Sequence, residues 1–276
     1  MAKSALLKSS LAKKYWMALT GLFLCLFLAG HLVGNLQLIF GDALQFNQYA
    51  LFMTTNPAVK LLSYVTYISI LFHAIDGIIL TIQNKKARPI SYAKENAAAN
   101  SAWASRNMAV LGTLILVFIV THMVNFWAKM HFDEKMPLQT TTIDVGGQKQ
   151  EFYLTTDGGY MPKMQIEQQA VVIKNRTEFY DAQANVKLKD GYKDLHKITF
   201  EFFQNEQFGL IATILYVISM IVLAFHLNHG FASAFQSLGA NNPKYNGLIK
   251  GFGKGFSLIV PLLFAIIPIY IHFFAK

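Results

Sequence analysis

Residues 208–235 read FGLIATILYVISMIVLAFHLNHGFASAF, a run without one Asp, Glu, Lys or Arg. At about 1.5 Å of rise per residue, a helix of that length exceeds the roughly 30 Å of a bilayer's hydrocarbon core. Two histidines, His226 and His229, sit inside it. Water is absent at that depth, so each ring must find a partner within the protein. The run decides that the chain lives in a membrane, and it asks what its histidines hold.

Four more runs of this kind lie at about 15–40, 60–83, 107–128 and 255–275. Together they predict an all-α integral membrane protein with a five-helix bundle. Of the 276 residues, 54% are hydrophobic and only 14% charged, with a mean hydropathy of +0.35. A typical soluble domain carries about 25% charged residues, so two independent soluble domains are excluded. The lone cysteine, Cys25, falls in the first run and leaves no disulfide or cysteine-held cluster within the chain. The first run is longer than a signal-peptide core and has no small-residue cleavage site, so it reads as a retained anchor.

Position decides what the net charge of +9 means. Residues 129–207 hold ten basic and twelve acidic side chains, whereas the remainder holds fourteen basic against three acidic. Twelve of those fourteen fall in three segments: Lys3, Lys8, Lys13 and Lys14; then Lys85, Lys86, Arg88, Lys94 and Arg106; then Lys244, Lys250 and Lys254. Basic flanks mark the cytoplasmic side. The reading is a multi-pass protein of the bacterial inner membrane, N-terminus in and C-terminus out, with 129–207 as an outer hydrophilic insertion between helices three and four. A nucleic-acid partner is not expected. Within the insertion, 140–145 and 150–155 flank Gly146-Gly147 as a β-hairpin, and 191–205 has the spacing of an amphipathic helix lying on the membrane. Pro261 and Pro268 predict kinks in the last span. Trp16, Trp103 and Trp127 read as interfacial belt residues.

His31, His73, His122 and His226 place one imidazole in each of the first four spans. His31 lies 17 residues past Lys14 and His122 lies 16 past Arg106, while His73 lies 12 before Lys85 and His226 lies 13 before Gly239. Counted as helical rise, the first two sit roughly 6–7 Å farther from the cytoplasm than the other two. Depth therefore pairs His31 with His122 in an outer site and His73 with His226 in an inner one. Two imidazoles are too few for a closed tetrahedral zinc site, but they suit the two axial positions of a haem iron. Gly77 and Gly230, four residues after His73 and His226, and Gly34, three after His31, share a helix face with their histidines and leave room for a flat macrocycle. Iron with both axial positions filled has no open site for substrate, so two such haems would carry single electrons.

Gly30-His31-Leu32-Val33-Gly34-Asn35, Phe72-His73-Ala74-Ile75-Asp76-Gly77, Thr121-His122 and Phe225-His226-Leu227-Asn228-His229-Gly230 resemble the dihaem cytochrome b anchor of succinate dehydrogenase and fumarate reductase. The resemblance follows all five spans in order. It implies two b haems, the distal on His31 and His122 and the proximal on His73 and His226. It also implies a flavoprotein and an iron–sulfur protein docked on the cytoplasmic face, and a quinone, usually menaquinone, exchanging electrons within the anchor. Succinate–fumarate chemistry would then belong to another chain. The long insertion departs from the family's short connection, and no counterpart stands here to the acidic residue proposed near the distal haem of some fumarate reductases. Two other readings share the residues: the dihaem b subunit of a hydrogenase or formate dehydrogenase, and a haem-free proton-translocating transporter built on the histidines and Asp76.

His229 competes with His226 as a ligand, and the Gly230 spacing favours His226. His229 would then lie a turn nearer the cytoplasm, within reach of a propionate or a quinone. Arg106, at an inner helix end, is a candidate partner for an anionic propionate or an interfacial cation. Asp76, the one acid inside the spans, is a candidate second partner, proton relay or quinone contact. His131, His196 and His272 read as solvated or interfacial.

Overall fold

The long apolar runs fold as helices whose ends are set by local chemistry. The computed structural model describes residues 9–87, 99 and 101–275; Lys3, Lys8, Arg88 and Lys94 lie outside them. Five helices are long and apolar enough to cross a membrane: Leu11–Phe40, Pro57–Lys86, Met108–Phe132, Gly209–Ser237 and Pro243–Phe273. Asn56 caps the second by accepting hydrogen bonds from the amides of Ala58 and Val59, with Pro57 at its first position. The fourth closes on Gly239, which adopts the left-handed φ of +83° that a glycine tolerates there.

The fifth span differs most from the sequence reading. It starts at Pro243, twelve residues before the expected 255, and continues unbroken through Pro261 and Pro268. Asn242 caps it through the Lys244 amide. Lys244, Lys250 and Lys254 therefore stand on the first turns of a helix rather than in a loop. Glycines within these turns misled the sequence reading. Gly253 is there because a Cβ would come 2.8 Å from the Phe231 ring, so only a glycine lets the fourth and fifth helices meet this closely.

Val110, Leu114, Val117, Val120 and Val124 form an exposed apolar stripe at three- and four-residue spacing along the third span. This is the pattern of a face turned to lipid. Its inward face packs Ile115 and Phe118 against a cluster of Cys25, Met220, Leu223, Leu227, Phe231 and Ala265. Directly after His122 the third span widens into a stretch of π-helix, Met123–Ala128. Such bulges gather at functional sites, and nothing in the apolar pattern foretold it.

The connection expected between the first two spans is itself a helix, Ala43–Thr55. The segment between the third and fourth spans, the insertion, carries two three-stranded antiparallel sheets: β1 (Thr140–Val145), β2 (Gln148–Leu154) and β3 (Tyr160–Pro162), then β4 (Val171–Lys174), β5 (Glu178–Asp181) and β6 (Lys187–Asp190). The β1–β2 hairpin turns at Gly146 and Gly147, both with positive φ as a tight two-residue turn demands. Phe179, fully buried, centres the insertion's own core with Leu138, Met161 and Val171.

The predicted amphipathic helix forms at Leu195–Phe203. It was expected on the membrane plane, but its apolar side is buried on protein instead. Phe203 packs with Leu38, Phe46, Ala212, Ile267 and Ile271 at the end of the bundle that carries the insertion. A buried polar cluster fixes this docking. Asn47, 1% exposed, donates to Gln139 Oε1 at 3.1 Å and to Asp194 Oδ1 at 2.9 Å, and its Oδ1 accepts from the His196 amide at 3.0 Å. His272 on the last span adds a 2.6 Å hydrogen bond from Nδ1 to the Phe203 carbonyl. The insertion is thus tied to the bundle through both its chain ends and its side chains.

Candidate histidine-pair sites in the bundle

Four helices bring the span histidines together in twos. His31 and His122 face each other with ring centres 6.0 Å apart and planes at 86°. His73 and His226 do so at 6.2 Å and 68°. Rings from helices one and three form the pair nearer the 129–207 segment (the outer pair), and rings from helices two and four form the other (the inner pair).

The surroundings of the two pairs differ. In the outer pair, Phe27 stacks on His31 at 5.3 Å and Phe118 on His122 at 5.7 Å. The Asn35 amide donates to the His31 carbonyl at 2.8 Å and lies 3.3 Å from the ring's Nδ1. The Tyr216 hydroxyl lies 3.5 Å from His122 Nδ1. In the inner pair, Thr20 donates its hydroxyl proton to the Trp16 carbonyl at 2.8 Å, which leaves its oxygen to accept from His73 Nδ1 at 3.3 Å. His226 Nδ1 is buried and has no hydrogen-bond partner among the described residues.

Small residues line the inner pair, but they are not the ones the spacing singled out. A Cβ on Gly21 would sit 3.2 Å from His73 Cε1, and one on Gly112 would sit 3.8 Å from His226 Cε1. Gly230 has open space within 4 Å, and Gly77 meets only Met17 Cε at 3.9 Å, so both leave room beside their histidines. Gly34 does not. A Cβ there would collide with the Tyr49 ring at 2.4 Å, so this glycine admits the connecting helix rather than a flat group. Thr20, Gly21, Gly112 and Tyr216 were missed because they belong to the neighbouring helix, and lateral register is not written in one helix's spacing. The only signal was a polar or small residue in an apolar run.

His229 stays outside the pair, with Nε2 3.4 Å from Ser233 Oγ one turn along the same helix. Arg106 is exposed just before the third span and donates to the Ser101 carbonyl. Asp76 is half-buried, three residues from His73. The outer histidines are not simply solvated: His131 stacks on Trp127 at 4.6 Å and His196 on Phe200 at 4.1 Å. Burial holds the His196 ring below its ordinary pKa, against the opposing pull of Asp194 and Asp42.

Among the described residues, no group of three or more His, Cys, Asp or Glu side chains could enclose a metal ion. Each site offers two donors. Two imidazoles that each reach about 2.0–2.1 Å to a shared first-row metal ion have ring centres roughly 6 Å apart, the separation seen in both pairs. The orphaned His226 Nδ1 and the open space at Gly230 fit the same requirement. No protein-family model matches the chain, and neither do the curated proteins or the solved structures.

Proposed function

We propose that this chain is the membrane anchor and electron-transfer subunit of a succinate:quinone oxidoreductase, linking an iron–sulfur partner on the cytoplasmic face to a quinone, menaquinone by the resemblance. The observation that carries the proposal is the pairing of four span histidines into two facing pairs, each with ring centres about 6 Å apart. When bound, two b haems supply one-electron carriers at two depths. His73 and His226 would hold the inner one, His31 and His122 the outer one. The chain's own residues orient those rings and keep water away. Thr20 hydrogen-bonds His73 Nδ1, Phe27 and Phe118 pack flat against the outer rings, and Gly21 and Gly112 let two backbones approach the inner pair. Arg106 would face an anionic propionate, and His229 a propionate or the quinone.

Thr20 acts through His73, so its replacement separates positioning from ligation. A Thr20→Val chain is expected to retain both haems and to shift the potential and the band position of the inner one alone, because the bond on Nδ1 tunes the basicity of Nε2. Redox titration followed optically checks this; an equal shift in both components, or none, contradicts the assigned bond.

Affinity purification of the tagged chain from native membranes tests the function itself. The expected result is a flavoprotein and an iron–sulfur protein in the eluate, with b-type absorbance that succinate reduces. Co-purification of a hydrogenase or a formate dehydrogenase, with absorbance indifferent to succinate, would replace the reading.

A further inference from the structure

Where the third span leaves the bundle, a cleft of about 820 Å³ opens between its end and the outer insertion, lined by His131, Phe132, Lys135, Ile173 and Arg176 among others. Glu134 is the one carboxylate among its lining residues. Within the insertion Lys163, Lys187, Lys189 and Lys197 each face a carboxylate. Lys135, Arg176 and the adjacent Lys193 make no such pair among the described residues. Arg176 and Lys193 reach instead to the carbonyls of His131 and Met130, the last of the span. That use occupies part of a guanidinium with five N–H donors and part of an ammonium with three. Burial, with the neighbouring Arg176 charge, lowers the Lys193 pKa from its ordinary value.

The depth of the cleft names the missing partner. Phe132 is the last residue of a helix long and apolar enough to cross a membrane and is 68% exposed, so its ring offers an apolar surface beside these cations. Apolar surface below and unpaired cations above match one amphipathic molecule. We propose that this cleft binds an anionic phospholipid, its phosphate held by Arg176 and Lys135 and its acyl chains laid against Phe132 and Ile173. The site would anchor the insertion to the membrane surface at the end of the helix that carries His122. The inference rests on the membrane-spanning helices alone and requires no haem, so it fails or stands separately from the electron-transfer reading.

The full chain, purified in detergent and stripped of lipid, is titrated with phosphatidylglycerol, phosphatidylcholine and inorganic phosphate, and bound lipid is counted by native mass spectrometry. One phosphatidylglycerol per chain is expected, in preference to phosphatidylcholine. With about 1 kcal/mol per cation at a membrane surface, K135Q and R176Q should each weaken it about fivefold, while K149Q on the exposed hairpin leaves it unchanged. R176Q removes a helix-end bond and can unfold the region; Lys135 donates to no helix carbonyl, so K135Q keeps the test decisive. Unchanged affinity in folded K135Q, or equal binding of phosphatidylcholine, overturns the proposal. Displacement of phosphatidylglycerol by an equal concentration of inorganic phosphate would reassign the cleft to a free anion and overturn the lipid.

Discussion

A His226→Ala chain should carry one haem fewer than the two expected of the unaltered chain, and His73→Ala should lose the same optical component. The two rings face each other across 6.2 Å from different helices, so removing either leaves one axial donor and an unmatched buried imidazole. The outer pair is built by two other helices with its own aromatic packing, and it should keep its haem in both variants. His31→Ala and His122→Ala should remove the complementary component. Difference spectra of the four variants, each with haem quantified per chain, check the pairing. Loss of different components in His73→Ala and His226→Ala would refute the inner site.

Asn47→Leu should release the outer insertion from the bundle. Its side-chain amide makes all three bonds that join the connecting helix to Gln139, Asp194 and the His196 amide, in a site where Asn47 is 1% and Asp194 7% exposed. Leucine fills the space but leaves a buried carboxylate and two buried polar groups short of partners, a cost of about 2–4 kcal/mol. Limited proteolysis reads the result as cleavage within 133–194 at protease levels that spare the unaltered protein. A Gln48→Leu chain, changed at an exposed position of the same helix, should remain resistant. Equal resistance of Asn47→Leu would show that Phe203 packing and the remaining bonds hold the insertion without the Asn47 cluster.

What was legible in the sequence followed from quantities that one helix or one hairpin fixes locally. The depth of a histidine below a basic residue is a count multiplied by a constant rise, so the pairing of His31 with His122 and His73 with His226 emerges without knowing how helices pack. Gly146-Gly147 between alternating residues signals a hairpin for the same reason. The start of the last span was misjudged because glycines at 251, 253 and 255 lower helix propensity, whereas Gly253 is placed there by packing against Phe231. Gly34 was misread because its spacing matched a macrocycle contact while its true neighbour, Tyr49, lies on a different helix. Strands β4 to β6 escaped notice because each is four residues long, and Lys187–Asp190 alternates charges rather than apolar residues. Thr20 and Tyr216 depend on lateral register between helices, which only the assembled bundle contains.

The central claim is that four span histidines hold two haems as two facing pairs, and a reduced-minus-oxidised spectrum of the purified chain with haem counted per polypeptide tests it most directly. The account predicts b-type absorbance and two haems per chain. A protein folded in the membrane without b-type absorbance would contradict it outright, and one haem per chain would break the two-site pairing.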